Sequence, residues 1–400
     1  MRKRPIYAAC LFLLTFLGLA ERILSLSGLN GYYIGYDLSF STTVINRGST
    51  VIHLTSNRLT DPTMFLFPND TSQTVRLTAS SHSFKIEADP DGNQMGIFQV
   101  EKLLQPRQSI TIEVSFRAYL QLTATRQLEW NPQLEYSFSG HKQEIPRELV
   151  EKYCAPAGPW RIDDPSPSWR SVRELAFRLA QNETNVLRAV MLQVAWVGEN
   201  IKYPTTRRDR IFLPNETIVY SEGDCDEQAN LIISMCRILG IPAYLQSGCV
   251  YLPAKVDKGS KFDGHLSFNL DRIGWHAWAM IYVPPWGWLP ADMTMGYSKD
   301  YPILAIQGAA IQALSTMISN NCLVTDYVSE TNRDAEELKR TEAYVEEKDS
   351  IKPMEMSPEY QATAGVRTTT TMLIVFGTIV VGVYVAVRSR AAAKKKQVQY

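Results

Sequence analysis

The stretch GDCDEQANLIISMCRILGIP, residues 223–242, decides the fold, because it carries the start and stop signals of one helix. Asp224 is a favoured N-cap residue, and Glu227 three positions later completes the pattern of a capping box. The Gly and the Pro near the end of the stretch are typical of a helix stop. Cys225 is therefore predicted at the first helical position.

Four acidic residues surround this cysteine: Glu222, Asp224, Asp226 and Glu227. Carboxylates oppose the ionisation of a thiol, whereas a helix N-terminus favours it. We predict that Asp224 and Glu227 bind backbone amides and that Asp226 points elsewhere around the turn, so that the helix lowers the thiol pKa. Two interpretations stay open: Cys225 is a buried structural thiol, or it is a nucleophile with a histidine partner.

A second stretch, GWHAWAMIYVPPWGWLPADMT at residues 274–294, offers that histidine. The run from His276 to Val283 alternates as a strand does, PPWG is typical of a turn, and WLPAD predicts a returning strand. A strict hairpin register places Asp292 opposite about residue 279. A contact between His276 and Asp292 therefore needs a diagonal reach or a bulge.

The formal net charge is zero, but the charge is unevenly distributed. Eight basic residues without an acidic neighbour lie at the two ends of the chain: Arg2, Lys3, Arg4, Arg388, Arg390, Lys394, Lys395 and Lys396. Without them, 33 basic residues face 41 acidic ones. Nucleic-acid binding is therefore not expected.

The basic ends flank two apolar segments. Residues 368–387 contain no charge and, at about 1.5 Å per residue, reach about 30 Å, which predicts a transmembrane helix. The basic tail 388–400 is then expected in the cytoplasm; a buried core helix is the alternative. Residues 1–20 have the pattern of a signal peptide or an uncleaved signal anchor. Both interpretations place the middle of the chain outside the cytoplasm, at the cell membrane.

The middle divides into three predicted parts. Residues 30–147 consist of short alternating runs separated by turns, which predicts a β-sandwich domain; DPDGN at 89–93 is read as a hairpin turn and not as a calcium loop. Helical periodicity begins near residue 168, so residues 148–328 are assigned to a second domain, which contains Cys225 and His276. Residues 329–367 are charged and then Pro-bearing, which predicts a partly helical stalk.

Five cysteines follow the apolar N-terminal segment. Because the compartment is expected to be oxidising and the count is odd, one thiol is expected to stay free. We predict disulfides among Cys154, Cys236, Cys249 and Cys322, and a free Cys225. The cysteine and histidine spacings do not suggest a metal site, and no cofactor is expected.

The two quoted stretches, extended to GDCDEQANLIISMCRILGIPAYLQSG for the first, closely resemble the core of transglutaminase-like proteins. The resemblance covers roughly residues 184–295 and includes ENIKY at 199–203. The chain resembles the prokaryotic, membrane-anchored type of these proteins, in which a β domain often precedes this core. The resemblance implies a papain-like α+β fold for the core. The expected fold class is therefore α+β, with the N-terminal β-sandwich, a papain-like transglutaminase core and the C-terminal transmembrane helix.

The same resemblance implies a catalytic triad, with Cys225 as nucleophile, His276 as general base and acid, and Asp292 as the residue that orients the imidazole. The Cys225 N–H is a natural oxyanion donor, and Trp196 and Tyr203 are candidates for the second. The expected substrate is a protein or peptide amide attacked through a thioester. Hydrolysis is favoured over cross-linking to an amine, and a non-enzymatic surface module is the remaining alternative.

Overall fold

A long antiparallel hairpin forms the centre of the protein. The computed structural model describes residues 33–121, 134–180, 182–294, 296 and 298–354. In it β9 (Ala243–Lys261) and β10 (Leu266–Val283) pair over most of their length. The other strands are β1 (Tyr33–Asn46), β2 (Ile52–His53), β3 (Thr63–Phe65), β4 (Gln73–Ser80), β5 (Phe84–Ala88), β6 (Gln94–Phe98), β7 (Leu103–Leu104), β8 (Ser109–Gln121), β11 (Gly287–Ala291), β12 (Thr316–Cys322) and β13 (Ala343–Pro353).

The helices of the described residues lie between residues 147 and 341. They are α1 (Arg147–Tyr153), α2 (Pro167–Ala180), α3 (Val186–Asn200), α4 (Pro214–Tyr220), α5 (Cys225–Ile238), α6 (Leu304–Gln312) and α7 (Tyr327–Thr341). The helix predicted from the 223–242 stretch is α5, and it starts at Cys225 as expected. The mixed α+β class is thus confirmed.

One sheet runs through both predicted domains. Its strand order is β12-β9-β10-β13-β1-β8-β4, with β11 paired to the other end of β10. Strands β10 and β13 are parallel, whereas the other neighbours are antiparallel. The N-terminal strands β1, β8 and β4 therefore extend the sheet of the core, and the boundary predicted at residue 147 does not divide this sheet.

The expected sandwich is present only in part. Strands β3, β6 and β5 form a separate three-stranded sheet, and Phe98 from β6 shares a buried cluster with Phe40 and Phe116 of the large sheet. The DPDGN turn connects β5 to β6 as predicted, with Gly92 at a positive φ of 87°. The three-stranded sheet therefore covers only one end of the large sheet. The large sheet itself contains strands from early and late parts of the chain, because the edge of a sheet can accept strands from any part of the chain.

A second core lies between the helices and the sheet. Its fully buried members include Val190 of α3, Ile232 of α5 and Ile281 of β10. Near the end of α5, the buried Arg237 guanidinium donates to the carbonyls of Ala155, Ala243 and Leu323 at 3.1, 2.9 and 3.3 Å. These bonds join the connector before α2, the start of β9 and the end of β12 to α5, so its position is fixed from three sides.

The segment predicted as a stalk is folded up to residue 353. Helix α7 begins at Tyr327, and β13 lies between β10 and β1 in the sheet, with Val345 and Ile351 buried. The stalk prediction is wrong for this part. Successive side chains of a strand point to opposite faces, so a sequence rich in charge can still bury one face of a strand through its alternate residues. Residues 355–367 lie outside the described residues.

The apolar ends of the chain also lie outside the described residues, at 1–20 and 368–387. Among the residues that the structure does describe, no helix combines the length and the apolar character that a membrane span requires. The predicted signal segment, transmembrane helix and tail at 388–400 stay predictions.

The cysteines differ from expectation. Cys154, Cys225, Cys236, Cys249 and Cys322 are all free thiols. Cys236 donates to the Gln193 side-chain oxygen at 3.3 Å, and Cys322 donates to the Thr325 carbonyl at 3.2 Å. The predicted disulfides are therefore not observed, and at least two of these thiols serve as buried hydrogen-bond donors.

The placement of β13 predicts that folding requires the chain up to residue 353. A chain that ends at Thr341 should lose cooperative unfolding in urea, because β10 and β1 lose the strand between them. A chain that ends at Met354 should keep the unfolding midpoint of the full protein. Tryptophan fluorescence during urea titration measures both, and equal midpoints for the two truncated chains would contradict the prediction.

Candidate active site

The start of α5 is fixed by one buried carboxylate. Glu227, at 1% exposure, accepts hydrogen bonds from the backbone N–H groups of Asp224 at 2.8 Å and Phe212 at 2.6 Å. It also forms an ion pair with Arg208. Glu227 therefore holds the turn before Cys225, as the capping-box pattern predicted.

The acidic neighbours on either side of the cysteine behave differently from expectation. One ligand atom each of Asp224, Cys225 and Asp226 lies within 4.8 Å of the others. The Asp226 carboxylate accepts from the Tyr327 hydroxyl at 2.7 Å, and Asn230 donates to the same hydroxyl at 2.7 Å. The prediction that Asp226 points away from Cys225 is therefore wrong, because α7 supplies a hydrogen-bond donor that holds the carboxylate beside the sulfur.

These contacts change the protonation of the site. Burial, together with the nearby Asp226 carboxylate, raises the pKa of Asp224 to about 9, so Asp224 is protonated at neutral pH. Burial also raises the pKa of the Cys225 thiol well above its ordinary value, and the Asp226 carboxylate adds to this. The predicted depression of the thiol pKa is thus wrong: Cys225 rests as a neutral thiol.

The histidine and the aspartate are brought together. His276 Nε2 is hydrogen-bonded to Asp292 Oδ2, and both side chains are at most 9% exposed. Ala279 pairs with Ala291, so Asp292 reaches His276 diagonally, two residues from the directly opposite position. Nδ1 is the ring nitrogen that remains for proton exchange with a nucleophile.

A neighbouring threonine orients the aspartate. Asp292 Oδ1 accepts from the Thr294 backbone N–H at 2.9 Å and from its hydroxyl at 2.7 Å, while the Asp292 N–H donates to the Ala305 carbonyl at 3.1 Å. Thr294 was not among the residues predicted for the site. The signal was present, since an aspartate with a threonine two residues later is typical of a side-chain-stabilised turn.

Cys225 lies beside a part of β10 where one edge of the strand has no partner strand among the described residues. On that edge β13 pairs with residues 266–271 and β11 with residues 279–283; within the described residues no strand pairs with the interval 272–278. The Ala277 N–H, inside this interval, faces the Cys225 sulfur and lowers its pKa, opposing the carboxylates. The sulfur therefore lies beside the residue that follows His276.

A cleft of about 520 Å³ opens at the same place and is lined by His276 and Thr294. Tyr203 also lines it. Burial raises the pKa of the Tyr203 hydroxyl, and the nearby Cys225 raises it further. Trp196 instead packs, partly buried, against the helix–sheet core. Of the two candidates for a second oxyanion donor, Tyr203 is the one that lines the cleft, and its hydroxyl lies near the sulfur.

The group of Asp224, Cys225 and Asp226 has donor atoms close enough together to hold a metal ion. Its donors do not suit one metal: two carboxylates favour hard cations, whereas a neutral thiol is a poor ligand for them. Asp226 is already bound by Tyr327. These residues are better explained as a pair of carboxyl groups beside the sulfur, in which the protonated Asp224 is hydrogen-bonded to Asp226.

Comparison with known proteins agrees with the geometry of the site. Residues 173–293 match the model of the transglutaminase-like superfamily. The matched segment runs from α2 to the residue after Asp292, so the resemblance inferred from the sequence is confirmed, and the match supports a cysteine enzyme in general. A comparison with curated proteins gave no match.

Two solved structures are similar to this chain. A "Putative Cysteine Protease" from Cytophaga hutchinsonii is 12% identical with a TM-score of 0.48, over 82% of this chain and 93% of that one. The periplasmic domain of TgpA from Pseudomonas aeruginosa is 14% identical with a TM-score of 0.29, over 70% of this chain and 92% of that one.

The neutral thiol predicts the pH dependence of Cys225 alkylation. The rate with iodoacetamide should keep rising through pH 9, because the raised pKa keeps the thiolate fraction small below that value. Asp226→Asn removes a neighbouring negative charge but keeps an acceptor for Tyr327. It should accelerate alkylation at pH 7 by about three- to tenfold, which corresponds to half to one pKa unit.

Peptide mass spectrometry at Cys225 measures these rates. Glu222→Gln is the matched control, because Glu222 pairs with Arg208 instead, and it should leave the rate unchanged. A rate that is already constant between pH 6 and 8 in the wild type would show a thiolate–imidazolium pair and contradict the neutral thiol.

Proposed function

We propose that this protein is a membrane-anchored, extracytoplasmic cysteine enzyme that attacks protein or peptide amides through a thioester and normally transfers the acyl group to water. The observation that carries the proposal is the hydrogen bond from His276 to Asp292 beside the helix start that holds Cys225. A structural thiol needs no such oriented imidazole next to it.

The geometry supports the following sequence of steps. His276 Nδ1 takes the proton of the Cys225 thiol as the sulfur attacks the carbonyl carbon of the amide. The Cys225 backbone N–H, free at the helix start, stabilises the oxyanion. The intermediate collapses when the imidazolium gives its proton to the departing amine, and a thioester remains. Water, deprotonated by His276, then attacks the thioester and releases the acid and the thiol.

Asp292 has an electrostatic and an orienting role in these steps. Its carboxylate stabilises the imidazolium that forms when the thiol is deprotonated, and Thr294 keeps the carboxylate in place. This stabilisation matters here because the thiol starts neutral, so charge separation occurs during the reaction and not before it. Attack and proton transfer are therefore expected to be coupled.

Transfer to an amine is the second candidate, and the acidic group beside the sulfur favours it. The Asp226 carboxylate could attract an ammonium ion to the thioester. Hydrolysis remains the main proposal, because water is the abundant acceptor outside the cell. Covalent incorporation of a fluorescent primary amine into a substrate protein, dependent on Cys225, would establish cross-linking instead.

Substitution of the three residues tests the mechanism. Cys225→Ala should abolish acyl-enzyme formation, and His276→Ala should be nearly as severe, since the thiol loses its base. Asp292→Asn should lower the rate by up to about 10⁴-fold, because the imidazolium loses its stabilising charge. A mass-spectrometric survey of membrane proteins cleaved or cross-linked with each variant measures activity.

Cys154→Ala is the matched control, since this partly buried thiol is also free, and it should keep full activity. Thermal unfolding of every variant checks that the fold survives. Processing of substrate by folded Cys225→Ala protein at the wild-type rate would refute the mechanism.

The proposed location rests on the charge pattern of the sequence. The two basic ends are proposed to be cytoplasmic and the folded residues extracytoplasmic. Protease added to intact cells should therefore digest residues 33–354 and leave the C-terminal tail protected, as antibodies to each part would show. Full protection of the folded part, with digestion only after lysis, would place it on the other side of the membrane.

A further inference from the structure

The pairing of β9 with β10 is interrupted close to the site. Tyr251 pairs with Ile273, and Val256 pairs with Asp271. The four residues between 251 and 256 therefore lie opposite Arg272 alone, whose φ of 56° is left-handed. Extra residues in one strand bend that strand and redirect its side chains. We call residues 252–255 the bulge.

The bulge brings two side chains to the cleft. Leu252 and Lys255 line it together with His276. A Cβ atom at Gly274 would lie 2.8 Å from Leu252 Cδ1 and 3.9 Å from Lys255 Nζ. The bulge thus covers β10 just before His276, and the absence of a side chain at position 274 allows Leu252 to pack this closely against the strand.

The charge in this part of the cleft is positive. Among the described residues that line it, none is a carboxylate, and Lys255 supplies a side chain that is 45% exposed. Its nearest acid, Asp257, is 3.8 Å away and is already paired with Arg207. The Lys255 ammonium is therefore only weakly compensated and can bind a carboxylate from a ligand.

The spacing indicates where that carboxylate would lie. Gly274 and His276 are two residues apart, about 7 Å along an extended strand. An extended peptide that presents its amide to Cys225 covers the same distance with two residues. The apolar neighbours Val250, Trp275 and Met293 line the remaining cleft and suit the hydrocarbon part of such a chain.

We propose that the bulge determines specificity: Lys255 selects amide donors that carry a carboxylate about two residues from the amide under attack. The carboxylate can belong to an acidic side chain or to the C-terminus of the substrate. This inference rests on the proposed function, because it requires that the amide donor occupy the cleft.

Cysteine-directed peptides test the proposal without knowledge of the natural substrate. Each probe carries an acrylamide on a central side chain, which alkylates a thiol. One pair has Glu or Gln two residues before the centre, a second has Glu or Gln two residues after it, and a third ends two residues after it as a free acid or as an amide. The rate of Cys225 alkylation is measured by mass spectrometry.

At least one acidic probe should react about two- to fivefold faster than its neutral partner with the full-length protein, which is the range for a partly exposed ion pair. The difference should shrink in 1 M salt. The responding pair shows whether a side chain or a terminal carboxylate is selected. Lys255→Gln should abolish the preference and Lys255→Glu should reverse it, whereas Lys258→Gln, which removes an exposed lysine from the same strand, should keep it.

Two results would overturn the proposal, and they differ from each other. Equal preference in the wild type and in Lys255→Gln, with normal iodoacetamide labelling of Cys225, rejects the role of Lys255 and leaves the proposed function standing. A Cys225 that is inert to iodoacetamide and to every probe rejects both.

Discussion

The site depends on one interruption in the hydrogen bonding of β10. Its first residues pair with β13 and its last with β11, and the interval between them, 272–278, has no strand partner on that edge in the described part of the chain. A backbone N–H in such an interval needs another acceptor when it is buried. The Ala277 N–H faces the Cys225 sulfur there and lowers its pKa, and the cleft opens along the same interval, at Gly274, Trp275 and His276.

The same interval explains why α5 must be placed so accurately. A shift of one residue would move the sulfur away from Ala277 and from the imidazole. Two buried charged groups prevent such a shift. Glu227 ties the first turn of α5 to Phe212 and Arg208, and Arg237 ties its last turn to three carbonyls. Neither group contacts the reacting atoms, so their contribution is to hold the helix against the sheet.

The sequence predicted the elements of the site better than their electrostatics. The ends of α5 and the PPWG turn follow from local patterns, and both are observed. For a contact of His276 with Asp292 the pattern left a diagonal reach or a bulge open, and the diagonal reach is the one observed. The orientation of Asp226 does not follow from such patterns, because its partner Tyr327 lies about a hundred residues further along the chain. Helical periodicity places a residue on a face but gives no information about donors from distant elements.

The fold shows the same division between local and distant information. Strands β1 and β8 are visible as alternating runs, but their membership of one sheet with β9 and β10 depends on pairings over long sequence separations. Strand β13 was misread because AYVEEKDSIKP is rich in charge; its buried residues Val345 and Ile351 are too few to predict a central strand. Composition gives no information about such pairings, so the sheet shared by the predicted domains does not follow from it.

The central position of β13 also has a consequence for biosynthesis. A ribosome delivers the chain from its N-terminus, so β1, β9 and β10 all emerge before the strand that lies between β1 and β10. Until residue 353 has left the ribosome, the two halves of the sheet cannot join, and their edges stay open. The nascent protein thus carries Cys225, His276 and Asp292 before the sheet that surrounds them is complete.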